Sequence, residues 1–310
     1  MKPHLIIATR SSKLALWQAE WVKARILAQF PGVTVELKHF KTQGDIILDT
    51  PLAKIGGKGL FVKELEQALL AGEADLAVHS MKDVPVELPP GLEISIITER
   101  ENPLDAFVSN RYPRFQAMPQ GGKLGTSSLR RASQLKKIRP DLHIESLRGN
   151  LQTRLRKLDE GQFDAIILAA AGLLRLEQGS RITELIPAET SLPAIGQGVV
   201  AIETRLGDAE VLAALRFLDH QPTRLTLTAE RAFLTRLNGG CQVPLGGFAE
   251  LDGDQLRLRG LIASPDGQQV LQGETRGPAH QGQRLGLELA ERLLAQGGRA
   301  ILASVGIETH

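Results

Sequence analysis

Cysteine is nearly missing from this chain: Cys241 is the only one in 310 residues. A single thiol excludes an intramolecular disulfide and fits a reducing compartment. Aromatic residues make up only 4% of the sequence. Grooves for single-stranded nucleic acid depend on aromatic stacking platforms, so that class is poorly served. Long apolar runs are missing as well. The longest, residues 165–174, is about half a membrane span. The N-terminus enters a strand-like run at once, with no long apolar signal region. The expectation is a cytoplasmic protein with no membrane segment. Seven histidines are scattered without paired ligand spacing, which predicts no metal site.

What is present suits a globular protein. Apolar residues supply 42% and charged residues 23%, ordinary values for a soluble domain. A chain of 310 residues exceeds what one hydrophobic core normally serves, so two or three domains are expected. The net charge of +2 hides an uneven spread. Residues 123–157 hold ten Lys or Arg against only Asp141 and Glu145, with no aromatic residue among them. Such a block suits a small polyanion better than a nucleic acid.

The pattern along the chain is α/β. Residues 4–9 read as a buried strand, followed by Arg10-Ser11-Ser12 and an amphipathic helix over about 13–30 that a serine can cap. Arg10 then stands at a strand's C-terminal end, where open α/β sheets bind ligands; a surface arginine near a helix start is the plainer reading. Residues 33–40 form a second strand. A Gly-rich loop over 55–59 precedes a helix over 60–70. It lacks the upstream glycine and the Ser or Thr of a nucleotide phosphate loop, but Lys54 and Lys58 present two cations suited to anions. Residues 74–78 form a strand running into His79-Ser80-Met81-Lys82-Asp83. Lys82 and Asp83 are either a solvated ion pair on a turn or a carboxylate kept ionised by its neighbour and aimed into a cleft.

A strand over 94–100 leads to a hinge candidate at 99–103, and a second unit starts near Asp105. There Gly125-Thr126-Ser127-Ser128-Leu129-Arg130-Arg131 opens a helix. Hydroxyls and unpaired backbone N–H groups at a helix start bind anions, and adjacent arginines add forks matched to carboxylates. Arg148 follows the strand over 143–147, Arg154 lies on the next helix, and Arg175 comes a few residues after the strand over 165–170. A faint repeat links residues 65–78 with 155–168: helix, Gly72-Glu73-Ala74-Asp75 or Gly161-Gln162-Phe163-Asp164, strand. Two similar α/β units joined by a hinge make a ligand cleft. The run Gly196-Gln197-Gly198-Val199-Val200-Ala201 matches a dinucleotide fingerprint formally, but a loop precedes it and a strand follows it. A strand over 199–203 crossing back into the first unit is the better reading.

Helices over 208–218 and 223–237 lead to Asn238-Gly239, a helix stop, and to Gly239-Gly240-Cys241-Gln242-Val243-Pro244. Past a helix C-terminus and with no histidine nearby in sequence, Cys241 is badly placed for a nucleophile renewed at each turnover. It is either a small hydrophobe filling a gap or a permanent covalent anchor. Residues 248–310 read as a small α+β domain, with turns at Asp252-Gly253 and Pro265-Asp266-Gly267 and a helix over 283–295.

Four of these motifs, in this order, resemble the porphobilinogen deaminase (hydroxymethylbilane synthase) family: residues 78–85, 125–131, 147–150 and 239–244. The resemblance is close from about residue 6 to 245 and weaker beyond. It implies two α/β domains of periplasmic-binding-protein type around a cleft, over 1–99 with 199–218 and over 104–193. A small α+β domain over 222–310 would carry Cys241. It implies a dipyrromethane cofactor in thioether linkage to Cys241, and a transferase that joins four porphobilinogen units head to tail with loss of ammonia. The product would be the linear tetrapyrrole hydroxymethylbilane, a precursor of haem and other porphyrins. Carried over by position, Asp83 would be catalytic, stabilising the positive charge that develops as each amine leaves. Lys82, Asp83, Thr126, Ser128, Arg130, Arg131 and Arg154 would hold the cofactor, and Arg10, Ser12, Arg148, Arg154, Arg175 and Lys58 the substrate's carboxylates. The family also implies a monomer.

Two other classes compete on the residues alone. A non-catalytic solute-binding module would use the same arginine-lined cleft for a dicarboxylate. A nucleic-acid binder would use the basic block and show steep salt dependence.

Overall fold

The computed structural model of the protein describes residues 2–46, 59–239 and 243–309. Cys241, Lys54 and Lys58 lie outside the described residues. Thirteen strands occur among those described: β1 (His4–Arg10), β2 (Thr34–Phe40), β3 (Leu76–Ser80), β4 (Leu92–Ile97), β5 (Asp105–Val108), β6 (Lys123–Gly125), β7 (His143–Glu145), β8 (Ala165–Ala169), β9 (Glu184–Ile186), β10 (Val200–Arg205), β11 (Leu245–Asp252), β12 (Gln255–Ala263) and β13 (Val270–Pro278). They form two five-stranded sheets and one three-stranded sheet. The chain divides into two compact units. One holds residues 2–46, 59–101 and 199–224, and the other holds 102–198 and the described residues after 224.

The first unit is built on the sheet β2-β1-β3-β10-β4. Strands β1, β2 and β3 run parallel, and β10 is antiparallel to both its neighbours. The expected crossing strand is thus β10, delivered to the first sheet after the whole second sheet has been traversed. The core on one side joins Leu5 and Ile7 of β1 to Ala19, Val22 and Ile26 of the helix Lys13–Gln29. These helix positions recur every three or four residues and so share one face. Ser12 caps this helix by accepting from the Ala15 N–H at 3.3 Å.

The second unit contains the sheet β7-β6-β8-β5-β9. Strand β6 runs parallel to β7 and β8, while β5 is antiparallel to β8 and β9. Place by place this repeats the first sheet, with the antiparallel strand again fourth. The repeat seen in the sequence extends to individual bonds. Gly72 and Gly161 both end a helix with positive φ, +71° and +74°, a conformation that glycine adopts without strain. Asp75 then accepts from the Ile6 N–H of β1 at 2.9 Å, and Asp164 from the Lys123 N–H of β6 at 2.8 Å. Each aspartate locks the strand after its helix to the neighbouring parallel strand. Ser128 caps the helix Leu129–Ile138 as Ser12 does its own.

The second unit also holds the antiparallel meander β11-β12-β13. The helix Gly282–Leu293 covers it, burying Leu285, Leu289 and Leu293 against Leu256, Leu258 and Ile262. Asn238 takes a φ of +49°, so the stop expected at Asn238-Gly239 is a left-handed cap. Some boundaries differ from expectation. The helix expected over 60–70 begins only at Lys63, because Gly59 has φ +86° and the chain turns before it coils. β4 ends at Ile97 rather than at residue 100, where the Ile97 carbonyl accepts from His220 N–H.

One buried polar cluster belongs to the first unit. His79 on β3 hydrogen-bonds Glu203 on β10 at 2.9 Å, and both side chains are buried. Glu66, on the helix Lys63–Leu70, is buried beside them. Burial, with the Glu203 charge adding and His79 opposing, pushes the Glu66 carboxyl up to about 7. Glu66 Oε1 and Glu203 Oε1 have no hydrogen-bond partner among the described residues.

Two outcomes follow for stability. The folded protein holds the Glu66 proton more tightly than the unfolded chain does. This contribution is therefore fully present below pH 4.5 and is lost as pH rises through about 7. Glu66→Gln removes the loss, so the variant should melt above the parent at pH 8 by about 1–3 kcal/mol of stability and match it near pH 4.5; equal melting curves at both pH values would show that Glu66 is not the titrating group. Separately, a Cβ on Gly286 would lie 2.4 Å from the Ala229 carbonyl oxygen. Gly286→Ala should lower the unfolding free energy measured in urea by about 1–3 kcal/mol, because the backbone contact outweighs the helix propensity gained.

Candidate functional site

In both five-stranded sheets the three parallel strands end on one edge, and the expected site residues among those described lie at or after those strand ends. In the first unit Arg10 closes β1 and Ser12 caps the helix after it. Lys82 and Asp83 lie in the single 3-10 turn Met81–Asp83 that follows β3, the strand beside β1. That turn is tied down by the Met81 N–H, which donates to the Val199 carbonyl at 2.9 Å, and by Gln18 Nε2, which donates to Ser80 Oγ at 2.9 Å. Both Lys82 and Asp83 are half-buried. Arg10 is already engaged: its Nε and Nη2 both donate to the Asp45 carboxylate, and its guanidinium lies over the Phe61 ring, 4.4 Å from the centroid. Burial raises the Asp45 carboxyl, but the bonds and charge of Arg10, with bonds from Thr42, carry it below the usual range.

In the second unit Thr126 and Ser128 follow β6, Arg148 and Arg154 follow β7, and Arg175 ends the short helix Ala170–Arg175 after β8. Parallel neighbours put all three strand ends on the same edge. Thr126 Oγ1 accepts from the Ser128 N–H at 3.2 Å, Arg154 Nε donates to the Gly149 carbonyl at 2.8 Å, and Arg175 Nη2 donates to the Gly198 carbonyl at 2.8 Å.

Arg130 and Arg131 turn inward. Asp105, at the start of β5, is fully buried and accepts from both. Arg130 grips it with two nitrogens, at 2.8 and 3.1 Å, and Arg131 Nε bonds it at 2.9 Å. Ser191 Oγ at 2.9 Å and Gln197 Nε2 at 3.0 Å complete the shell. Arg130 Nη1 also reaches the Leu192 carbonyl, and Arg131 Nη1 the Ile167 carbonyl. Burial alone would raise the Asp105 carboxyl; the two guanidiniums outweigh it and hold the group well below the usual carboxylate range.

Sequence reasoning did not single out Asp105, Asp45 or Gln197 for these roles. A signal for Asp105 existed: an acid within the apolar stretch Leu104-Asp105-Ala106-Phe107 demands a cationic partner, and the only dense cationic block begins shortly afterwards. Gln197 explains the false dinucleotide fingerprint, because the flanking glycines make the turn that aims this buried amide at Asp105. Lys58 and Cys241, the remaining expected site residues, lie outside the described residues. No group of His, Cys, Asp and Glu able to hold a metal ion occurs among those described, and none of their helices is long and apolar enough to cross a membrane.

Two family models match the chain. The one described as "Porphobilinogen deaminase, dipyromethane cofactor binding domain" covers residues 5–213, and "Porphobilinogen deaminase, C-terminal domain" covers 224–295. With this much of its length matched, the chain belongs to the porphobilinogen deaminase family. It is accordingly an enzyme, a transferase of the hydroxymethylbilane synthase type with a role in tetrapyrrole biosynthesis. Among solved structures it is similar to the periplasmic VFT2 domain of Bordetella pertussis BvgS, at 17% identity over 69% of this chain and 85% of that one, TM-score 0.40. It is also similar to the methionine-binding protein MetQ, at 16% identity over 68% and 88%, TM-score 0.41. A third is the periplasmic aliphatic sulphonate binding protein SsuA from Escherichia coli, at 15% identity over 76% and 70%, TM-score 0.40. These likenesses are too loose to support a conclusion about this chain.

Replacing Asp105 with Asn should cost about 3–5 kcal/mol, because two guanidiniums are left in the interior without their counter-charge. Urea unfolding measures it; a loss below about 1 kcal/mol would mean that the arginines find other partners.

Proposed function

We propose that this chain condenses four porphobilinogen molecules head to tail into hydroxymethylbilane, expelling one ammonia at each addition, on a dipyrromethane primer bound by a thioether to Cys241. The observation that carries this reading is the matched placement of site residues. Each five-stranded sheet ends its three parallel strands on one edge, with Asp83 and Lys82 there in one unit and Thr126, Ser128, Arg148, Arg154 and Arg175 there in the other. Hydroxyls at a capped helix start and several arginines form the donor set that acetate and propionate carboxylates require. A dipyrromethane fits that chemistry; when bound it supplies the pyrrole end on which the chain is extended.

Asp83 carries the catalytic role in this reading. It needs no metal: an ionised carboxylate beside the pyrrole N–H groups opposes the positive charge that develops as the amine departs, and it can take part in the proton transfer to that amine. The turn holding it is tied at Ser80 and Met81, so the carboxylate is placed before substrate arrives. The arginines neutralise the growing polyanion, each charge-assisted bond contributing about 1.5–3 kcal/mol. Arg130 and Arg131 act chiefly by holding the helix start at Thr126–Ser128 in position through Asp105. The proposed division is into α/β domains over 1–99 with 199–218 and over 104–193, and an α+β domain over 222–310 bearing the cysteine.

The intact mass of the denatured protein tests the anchor. The expected result is a surplus equal to two linked pyrrole units, absent in Cys241→Ser. Incubation with porphobilinogen should add further units in the parent, and Asp83→Ala should stop turnover while keeping the surplus. A parent of unmodified mass that gains nothing from porphobilinogen would refute the reading.

A further inference from the structure

Among the arginine–aspartate pairings of the described residues, those of Asp105 and Asp45 are of opposite character. Asp105 is fully buried and saturated by five side-chain bonds from four residues, so it cannot leave its guanidiniums. The Arg10–Asp45 pair is open: the two side chains are 20% and 26% exposed. Apart from Arg10, Asp45 accepts among the described residues only from Thr42, through Oγ1 at 2.7 Å and the N–H at 3.4 Å. It rides on the four-residue helical turn Gln43–Ile46. Both ends of the fork, Nε and Nη2, bind one carboxylate side-on, the geometry in which a guanidinium also takes a ligand's carboxylate.

The Arg10 fork is held in place independently of Asp45. The Phe61 ring lies beneath its plane, a contact that persists whichever carboxylate is bound. Gly44 lets the Asp45 turn sit directly on that ring, since a Cβ there would lie 2.1 Å from a ring carbon. The fork sits at the C-terminal end of β1, beside the strand that leads to Asp83.

We propose that Asp45 is a built-in competitor for the substrate: it occupies the Arg10 fork and yields it to a porphobilinogen carboxylate, after which Thr42 retains the displaced Asp45 side chain. The inference rests on the reading above that Arg10 binds a porphobilinogen carboxylate. No covalent bond is made or broken; one carboxylate replaces another. A ligand without a carboxylate cannot make the exchange, so Asp45 sharpens selection for acidic pyrroles while weakening the binding of the correct one.

The test compares steady-state kinetics with porphobilinogen for the parent, Asp45→Asn, Arg10→Gln and the double variant, each confirmed as folded by its melting curve. Asp45→Asn keeps the shape and removes the competing charge. Its KM should fall about three- to fivefold, the strength of a partly exposed ion pair, with kcat within about twofold of the parent. In the Arg10→Gln background the same change should leave KM unmoved. An unchanged or raised KM in Asp45→Asn overturns the inference. So does an equal fall without Arg10, which would mark a general effect of charge. A second readout needs no variant. The 15N signal of Arg10 Nε should shift when porphobilinogen is added to the parent, and a signal that stays fixed under saturating substrate overturns the exchange. A parent that turns over porphobilinogen while failing these tests sinks the competitor role alone; a parent that neither binds nor consumes it overturns both readings.

Discussion

An ionised carboxylate sealed from solvent is tolerable only if its charge is matched and its lone pairs are filled. Asp105 meets that condition with two arginines, a serine and a glutamine, and this requirement fixes much of the second unit. The four partners come from the helix Leu129–Ile138 and from the segment over 191–198. Displacing either arginine unbalances a buried charge, and displacing Ser191 or Gln197 removes a donor from it, so strand, helix start and loop share one geometry. The helix start at Thr126–Ser128 directly precedes the two arginines, so the interior ion cluster also fixes its position.

The two five-stranded sheets solve the same problem twice. Each puts a capped helix after its central parallel strand, with Ser12 in one and Ser128 in the other. Each closes a helix–strand turn with a glycine and an aspartate that reaches back to the adjacent strand. Their chemistry then diverges. At the corresponding place after the third parallel strand, one sheet carries Lys82 and Asp83 and the other carries the helix ending in Arg175. A common scaffold therefore presents a carboxylate on one sheet edge and cations on the other.

Local signals carried most of the fold. The Gly-x-x-Asp repeat, the serine caps, the Asn238 stop and the apolar run of β10 were all legible because each depends on neighbours within a few residues. The helix start at Thr126–Ser128 was legible too, but the internal partner of Arg130 and Arg131 was not: Asp105 lies 25 and 26 residues away in sequence, and periodicity holds no information about which distant acid a cation meets. His79 and Glu203 are 124 residues apart, and only the sheet order brings them together. Arg10 was correctly placed at a strand end, but its pairing with Asp45 depends on how the turn after β2 packs onto Phe61.

The fourth place in the first sheet has a consequence for synthesis. Strand β10 separates β3 from β4, so β4 has no sheet neighbour until residues 200–205 have been made. All five strands of the second sheet lie between residues 105 and 186. On the ribosome, where domains usually form in order from the N-terminus, the later sheet here has all its strands before the earlier one does. The unit bearing Asp83 must wait, partly assembled with one edge of β3 unpaired, for a strand that begins only at Val200, after β3 has ended at Ser80 and β4 at Ile97. Such an exposed edge is a site for wrong pairing, and the nascent chain is most vulnerable to aggregation during that interval.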